Sequence, residues 1–238
     1  MTKFGDGVGY NDDAKHPLQG INVGAPMDSS RYFNDFVKET DWVSGNWVTT
    51  NVGSAAAISI VNTELNGQLL ITTGTVDADS RNLQHGDGTN VSEIWALTSG
   101  KRAAFSTKFK LSDATDAACL VGLAITDTTA IAGATDGLYF RKADASTSLL
   151  LVAEKDSAES TVTMGTMADD TLIEVAFAYD GVSTVSAFLK DSNGIWQKKG
   201  STTAIPDDEE LAITVALTNG ATGAETISID YIDVVQER

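Results

Sequence analysis

The sequence has few of the features that mark several large protein classes. Its 238 residues include one cysteine, Cys119, so no disulfide can form within the chain and stability must come from packing. Cys119 lies in the apolar run AACLVGLAI, which predicts a buried, unreactive thiol. No run approaches the roughly 20 apolar residues of a membrane span. The start, MTKFGDGVGYND, lacks the charged and apolar regions of a signal peptide, so we expect a protein that is not secreted.

Basic residues are scarce. Lysine and arginine number 16 against 33 acidic residues, which gives a formal net charge of −17. Such a charge repels phosphate backbones and anionic lipid headgroups, so we expect neither nucleic acid nor a membrane as a partner. The negative charge either keeps an exposed protein soluble or attracts the protein to a basic surface on a partner. A hydrophobic content of 42% is too high for disorder, and 21 glycines with 3 prolines suit many tight turns.

Histidine is also rare. The two histidines, His16 and His85, lie in neither a nucleophile elbow nor a metal-binding pair, so triad hydrolysis and zinc chemistry lack their residues. We therefore predict no cofactor.

A structural calcium ion is the alternative to that prediction. The run VDADSRNLQHGDGTN offers oxygen ligands at Asp77, Asp79, Asp87 and Asn90, although without the spacing of an EF-hand. A polar loop explains the same residues.

Residues 1–30 differ in composition from the rest of the chain. Five glycines and two of the three prolines break this segment, which predicts an extended arm that reaches up to about 100 Å when fully stretched. Phe4, Tyr10, Leu18 and Ile21 are spaced along it like anchors for a partner. The alternative is a frayed terminus that folds loosely over the domain.

Residues 31–238 show the short alternating runs of β-strands, separated by turn signals, and we predict a single domain over this range. No run of 12 or more residues has helical periodicity with caps, although 113–118 could form a short turn, and no repeat of 20 to 50 residues is present. The predicted strands are 31–36, 56–61, 69–73, 93–97, 103–111, 118–126, 138–142, 148–154, 161–164, 172–179, 183–190, 195–199, 211–218 and 226–234.

The strand RAAFSTKFKLSD shows the alternation most clearly. Phe105, Phe109 and Leu111 fall on a face that needs a core, whereas Lys108 and Lys110 fall on the other. We interpret the second face as solvated, with lysines that discourage pairing at a sheet edge.

The clearest hairpin is TLIEVAFAYDGVSTVSAFLK. Ile173, Val175 and Phe177 share one face before the turn, and Asp180-Gly181 predicts a two-residue type I′ turn between the strands.

The order of these motifs resembles that of the concanavalin A-like, or laminin G-like, jelly-roll superfamily. The matching motifs are YFNDF, LNGQLLITTG, RAAFSTKFKLSD, CLVGLAITD, DGLYFRK, AYDGVSTVSAFL, Ile205-Pro206 before an acidic loop, and ISIDYIDVVQER. The resemblance covers residues 31–238. It implies an all-β, concanavalin A-like jelly-roll β-sandwich of two antiparallel sheets, which follows the extended N-terminal arm.

Within that superfamily the sequence looks most like virion proteins of tailed bacteriophages. This resemblance implies a non-enzymatic structural protein that decorates or cements the capsid through its arm and a sheet face. Its partners would be the major capsid protein or other virion proteins, and it would form a homo-oligomer, a dimer or a trimer. It would be made in the host cytoplasm and reside on the capsid surface. The alternative is a fibre-associated carbohydrate-binding or adhesin module with a glycan as ligand.

Glycoside hydrolases of the superfamily carry Glu-x-Asp-x-x-Glu, a pattern that occurs here as EKDSAE with Glu154, Asp156 and Glu159. A retaining mechanism needs two carboxyl groups about 5–5.5 Å apart in a cleft. The intervening residues are polar or small, and the segment lies where a hairpin turn is expected. We therefore predict an acidic turn and no catalysis, with hydrolysis as a remote alternative. A second near match, ETDWVS at residues 39–44, lacks the last acid.

The four tryptophans could stack on sugar rings. Trp95 and Trp196 have the sequence surroundings of packed residues, whereas Trp42 and Trp47, in DWVSGNWV, are the best exposed candidates.

Overall fold

The computed structural model describes residues 29–37, 45–54, 57–61 and 67–238. These residues form 15 strands and one short helix, α1 (Ala130–Gly133), which confirms the predicted all-β fold. The strands are β1 (Ser29–Asn34), β2 (Trp47–Val52), β3 (Ala57–Val61), β4 (Gln68–Thr72), β5 (Ser80–His85), β6 (Ala103–Leu111), β7 (Ala118–Ala124), β8 (Gly137–Lys142), β9 (Ser148–Lys155), β10 (Ala158–Thr166), β11 (Ile173–Tyr179), β12 (Val185–Lys190), β13 (Trp196–Thr202), β14 (Ala212–Thr218) and β15 (Thr226–Glu237).

The strands form two antiparallel sheets that pack face to face. The eight-stranded sheet has the order β13-β12-β11-β6-β15-β4-β3, with β1 also paired to β15. The seven-stranded sheet has the order β10-β9-β8-β7-β14-β5-β2. β15 pairs with β6 along most of its length, and on its other side it pairs first with β4 and then with β1.

The core lies between the sheets and is built from the alternating apolar residues of both. Phe105, Phe109 and Leu111 of β6 are fully buried, as the alternation predicted. The ring of Phe105 stacks on that of Phe177 with centroids 5.2 Å apart, and Phe140 of the opposite sheet packs against both. Large rings therefore fill the centre of the sandwich.

The lysines of β6 do not protect a sheet edge, so that interpretation was wrong. β6 lies between β11 and β15, inside the eight-stranded sheet. The Nζ atom of Lys108 lies 2.8 Å from a carboxylate oxygen of Asp230, and that of Lys110 lies 3.7 Å from Asp170. The lysines offset acidic charge on the outer face of this sheet.

Three predictions about strands need correction. β2 and β5 were not predicted, because the apolar residues of WVTTNV do not alternate with polar ones and SRNLQH contains only one apolar residue. The predicted strand at 93–97 is a connecting segment in which Trp95 makes a single bridge with Leu211. Trp95 and Leu97 alternate because both side chains insert into the core from this segment.

The turns also differ in part from expectation. The hairpin of β11 and β12 is confirmed, but its loop has five residues rather than two, because Tyr179 pairs with Val185. The carboxylate of Asp180 organises this loop by accepting three consecutive backbone N–H groups. A two-residue turn occurs instead at Asp156 and Ser157, with φ angles of 51° and 64°. This turn confirms the hairpin expected at EKDSAE.

Burial shifts the pKa values of two side chains in the interior, those of Cys119 and Lys142. Cys119 is fully buried, as predicted, and burial raises the pKa of its thiol to about 12. Lys142 is also fully buried, and its Nζ atom donates to the carbonyl oxygens of Thr115 and Ala117 at 2.6 Å each. Burial lowers the pKa of Lys142, and the two hydrogen bonds fix the predicted turn after β6.

No helix in the part of the chain that the structure describes is long and apolar enough to cross a membrane.

Candidate ligand-binding site

The outer face of the seven-stranded sheet carries side chains that alternate with the core residues. On β5 the core residue Leu83 lies between Asn82 and Gln84, which are buried on the opposite face. On β8 the core residue Phe140 lies between Tyr139 and Arg141. This face therefore combines polar side chains from strands that are far apart in sequence.

A covering segment, residues 125–136, crosses this outer face. Gln84 donates to the carbonyl oxygen of Ile125 at 2.9 Å and accepts the N–H of Asp127 at 3.1 Å. Asn82 donates to the carbonyl oxygen of Thr128. The helix α1 within the segment packs Ala130 onto the sheet. Because these amide side chains satisfy the backbone of the segment, they fix its position on the sheet.

Beside the covering segment the outer face forms a cavity of about 450 Å³. Its volume lies within the range of small-molecule sites, about 300–1,000 Å³. Strands β2, β5, β7, β8 and β14 contribute to it on one side and the covering segment on the other. The lining residues are Val52, Ala78, Ser80, Asn82, Ala118, Thr129, Ile131, Ala132, Arg141, Ala143, Asp144 and Thr218.

Hydrogen-bond acceptors predominate among the polar groups of the cavity. Within the described chain, Asp144 accepts a hydrogen bond only from the backbone N–H of Ala145, at 2.7 Å, so most of its carboxylate acceptor capacity remains. Asn82 uses its N–H₂ group on the covering segment, and the hydroxyl of Thr129 donates to Asp127 at 3.0 Å. The lining therefore offers apolar contact together with several acceptors.

Arg141 is the cationic residue of the lining, and its charge is already matched. Its Nη2 atom donates to one oxygen of Glu159 at 2.6 Å, and its Nη1 atom donates to the other. This ion pair lowers the pKa of Glu159 and raises that of Arg141. Arg141 is therefore held against β10 by a bidentate carboxylate.

Glu154 lies opposite Glu159 in the β9–β10 ladder and accepts a hydrogen bond from the hydroxyl of Tyr139. Burial raises the pKa of the Glu154 carboxyl, and burial together with this hydrogen bond raises the pKa of Tyr139. Both glutamates of EKDSAE are thus engaged by neighbours on β8. Neither glutamate lines the cavity.

A second acidic group lies at the β9–β10 turn, where carboxylate oxygens of Asp136, Asp156 and Asp208 lie within 4.8 Å of one another. This spacing would admit a cation. Asp136 accepts the backbone N–H of Asp156 at 2.9 Å, and Lys155 lies 3.3 Å from Asp208 and 2.5 Å from Asp207. These contacts give the carboxylates a structural role in joining the turn to the acidic loop after Pro206.

The residues considered for calcium are not gathered at one site. Asp79 and Asp87 stand at opposite ends of β5, roughly 20 Å apart along the strand. Asp79 accepts hydrogen bonds from Ser54 and from the N–H of Val76, and Asp87 accepts hydrogen bonds from Asn90. Each carboxylate organises its own loop.

The other sequence-predicted residues have mixed outcomes. Trp47 is buried against Tyr32 and His85, so its prediction as an exposed stacking residue was wrong, whereas Trp95 and Trp196 are packed as predicted. The remaining candidates lie outside the described residues. These are the arm residues Phe4, Tyr10, Leu18 and Ile21, together with His16, Trp42 and the ETDWVS run.

Sequence reasoning did not find the residues that build the cavity. The alternation in DGLYFRK and SRNLQH could have pointed to Tyr139, Arg141, Asn82 and Gln84, because polar residues alternate there with core residues. Nothing local in the sequence brings these strands beside Asp144 and the covering segment.

Comparison with known proteins identifies a fold but no family. No protein-family model and no curated protein matches the chain. Many solved structures are similar in fold, and three of them are described here. A protein of unknown function from Shewanella oneidensis MR-1 has 16% identity and a TM-score of 0.62, with 88% of this chain and 87% of that chain covered. Peanut lectin has 10% identity and a TM-score of 0.57, with coverage of 88% and 97%.

The third structure is the CBM2 module of the evolved Dit protein of Lactobacillus casei BL23 phage J-1. Its identity is 12% and its TM-score 0.54, with 88% of this chain and 96% of that chain covered. At such identities the likeness shows the fold alone, and it confirms the predicted jelly-roll β-sandwich of concanavalin A-like type.

Proposed function

We propose that this protein is a non-enzymatic, glycan-binding protein of a bacteriophage virion and that the outer-face cavity is its binding site. The observation that carries the proposal is the cavity itself, in which Asp144, Asn82 and hydroxyl groups stand beside the apolar side chains of Val52 and Ile131. A sugar ring presents both kinds of surface, hydroxyl groups at its edge and C–H groups on its faces. Such a mixed lining is typical of small-molecule sites.

A binding role is favoured over catalysis because the candidate acids are already engaged. Glu159 uses both carboxylate oxygens on Arg141, and Glu154 is buried under the hydroxyl of Tyr139. A retaining hydrolase needs one carboxylate that can attack the sugar and one acid that can reach the glycosidic oxygen. Polysaccharide hydrolysis by the wild type, abolished in Glu154→Gln, would contradict this part of the proposal.

The virion setting is supported by the resemblance of the sequence and by the fold shared with the phage J-1 Dit module, a carbohydrate-binding module by its name. Several copies on one particle would add their affinities through effective concentration, so each cavity could bind weakly.

The test of glycan binding uses the full chain on a glycan array and then calorimetry with the sugars that bind. Ala132 is an exposed residue of the cavity lining, and Ala132→Trp should block the cavity and abolish binding. Ala168→Trp, at an exposed loop position that does not line the cavity, is the matched control and should bind like the wild type. A blank array, or equal binding by both variants, would refute the cavity as a glycan site.

Capsid decoration through the predicted arm is the second candidate function, and the excess of 33 acidic over 16 basic residues favours it, because such a surface can dock onto a basic lattice. Electron microscopy of the intact particle with a labelled copy of the protein would locate it on the head or on the tail. Deletion of residues 1–28, which leaves β1 complete, should weaken attachment and leave the sandwich folded. Undiminished attachment of the truncated protein would refute the role of the arm.

A further inference from the structure

We infer that the cavity selects sugars by charge, so that it accepts neutral and amine-bearing sugars and rejects uronic acids. This inference rests on the proposed glycan-binding function and names the class of glycan. It follows from the hydrogen-bonding capacity and the charge of the lining.

The lining has acceptors in excess. The Asp144 carboxylate can accept further hydrogen bonds, and the amide oxygen of Asn82 is available because only the amide nitrogen of Asn82 donates to the covering segment. A sugar hydroxyl or an amine can donate to such groups. A uronate carboxylate can only accept, so it faces the like-charged carboxylate of Asp144. The lining donors left to it include the hydroxyls of Ser80 and Thr218 and the N–H groups of Arg141 that Glu159 does not use.

Arg141, the cation among the described residues of the lining, already has a counter-ion. Arg141 is engaged in a bidentate ion pair with Glu159, and Glu154 lies next to that pair across the hairpin. Two carboxyl groups therefore surround a single guanidinium group. A uronate would have to compete with Glu159, an intramolecular partner already in place.

The net charge of the whole protein has the same sign as the carboxylate at the cavity. The protein carries a net charge of −17, and Asp144 is an exposed carboxylate at the cavity. An anionic ligand is repelled on approach and again at the site, whereas an ammonium group is attracted. The expected order of affinity for one parent sugar is therefore amino sugar, then neutral sugar, then uronic acid.

The experiment is calorimetry or NMR titration of the full chain with matched sets of methyl glycosides. Each set contains a parent hexose (glucose, galactose or mannose), its 2-amino derivative and its uronic acid. For any parent that binds, we expect the uronic acid to bind at least about tenfold more weakly and the amino sugar at least as tightly. Raising the salt from about 0.01 M to about 1 M should narrow both differences.

Asp144→Asn tests whether the selection is local. It keeps an acceptor at the cavity but removes the charge, so the ratio of the affinities for the neutral sugar and the uronic acid, both measured on the variant, should shrink several-fold. Glu209→Gln removes the same charge from an exposed residue outside the lining and should leave the discrimination unchanged.

The outcomes separate the inference from the function on which it rests. A uronic acid that binds as tightly as its parent, or equal effects of Asp144→Asn and Glu209→Gln, would overturn the inference but leave glycan binding intact. If no sugar of any set bound, and the glycan array were also blank, the proposed function itself would fall.

Discussion

Glu154 and Glu159 pair directly across the β9–β10 hairpin, and the structure moves their pKa values in opposite directions. Burial raises the pKa of Glu154 despite its hydrogen bond from Tyr139, whereas the hydrogen bonds from Arg141 lower the pKa of Glu159. The same residue type therefore has opposite effects on stability at two neighbouring positions.

The effect of Glu154→Gln should depend on pH. Because the folded pKa of Glu154 is raised, its charged form costs stability as the pH rises above the ordinary glutamate value of about 4.3. Glutamine keeps an acceptor for Tyr139 and carries no charge. We expect the variant to equal the wild type near pH 4 and to exceed it by roughly 1 kcal/mol at pH 7, measured by denaturant unfolding. A loss of stability at pH 7 would contradict this prediction.

Glu159→Gln should show the opposite sign. The folded pKa of Glu159 is lowered, so its contribution is present above the ordinary glutamate pKa and is lost as the pH falls through the folded value. Because the ion pair is partly exposed, we expect a loss of only about 0.5–1 kcal/mol at pH 7. The same unfolding series should show wild type and variant converging in acid, and a constant difference at all pH values would argue against the ion pair as its source.

Lys142 should stabilise the turn after β6. Lys142→Met removes the donors to the carbonyl oxygens of Thr115 and Ala117, which lose their partners inside the protein, and we expect a loss of about 2 kcal/mol in unfolding free energy at pH 7. Lys110→Met is the matched control, because Lys110 has only a loose, solvated partner, and it should change stability by less than about 0.5 kcal/mol. Similar effects of the two substitutions would show that the buried hydrogen bonds add nothing.

Gln84 should hold the covering segment in place. Gln84→Leu removes its hydrogen bonds to Ile125, Asp127 and Thr214, so residues 125–136 should exchange their amide hydrogens faster while the core strands remain protected. Hydrogen exchange followed by mass spectrometry measures this difference. Gln197→Leu, on the exposed surface of β13, provides a control that should leave the segment unchanged.

The thiol of Cys119 should not react with thiol reagents in the native protein. Its pKa of about 12 and complete burial leave no accessible thiolate at pH 8, so a thiol reagent should label it only after unfolding. Labelling of the native protein at the rate of a free thiol would mean that β7 opens readily.

Sequence alone predicted the parts of the fold that local alternation determines. The bounds predicted for β6 agree with the structure because Phe105, Phe109 and Leu111 share one face and polar residues occupy the positions between them. β5 was missed because Asn82 and Gln84 are buried polar residues whose hydrogen-bond partners lie more than 40 residues away. In the sequence, a buried Asn or Gln cannot be distinguished from a loop residue unless its hydrogen-bond partner is known.

The candidate site was less accessible to prediction than the fold. Asn82, Arg141, Asp144 and Thr218 belong to separate strands or loops, and only the sheet order brings them to one cavity. Conversely, the hairpin turn expected within EKDSAE is present at Asp156 and Ser157, although Glu154 and Glu159 lie on the flanking strands and Glu154 is buried rather than solvated. The cavity depends on strand pairing between distant residues and could not be predicted locally, whereas the turn depends on the local sequence and could be.

The double partnership of β15 sets the order in which the protein can be completed during synthesis. Its residues insert between β6 on one side and β4 and β1 on the other, so until this strand is in place the eight-stranded sheet consists of three separate parts, which are β13-β12-β11-β6, β4-β3 and β1. A ribosome must release residues 226–237 before the parts can join. Until then, β6 and β4 each expose an unpaired strand edge, and such edges are templates for aggregation.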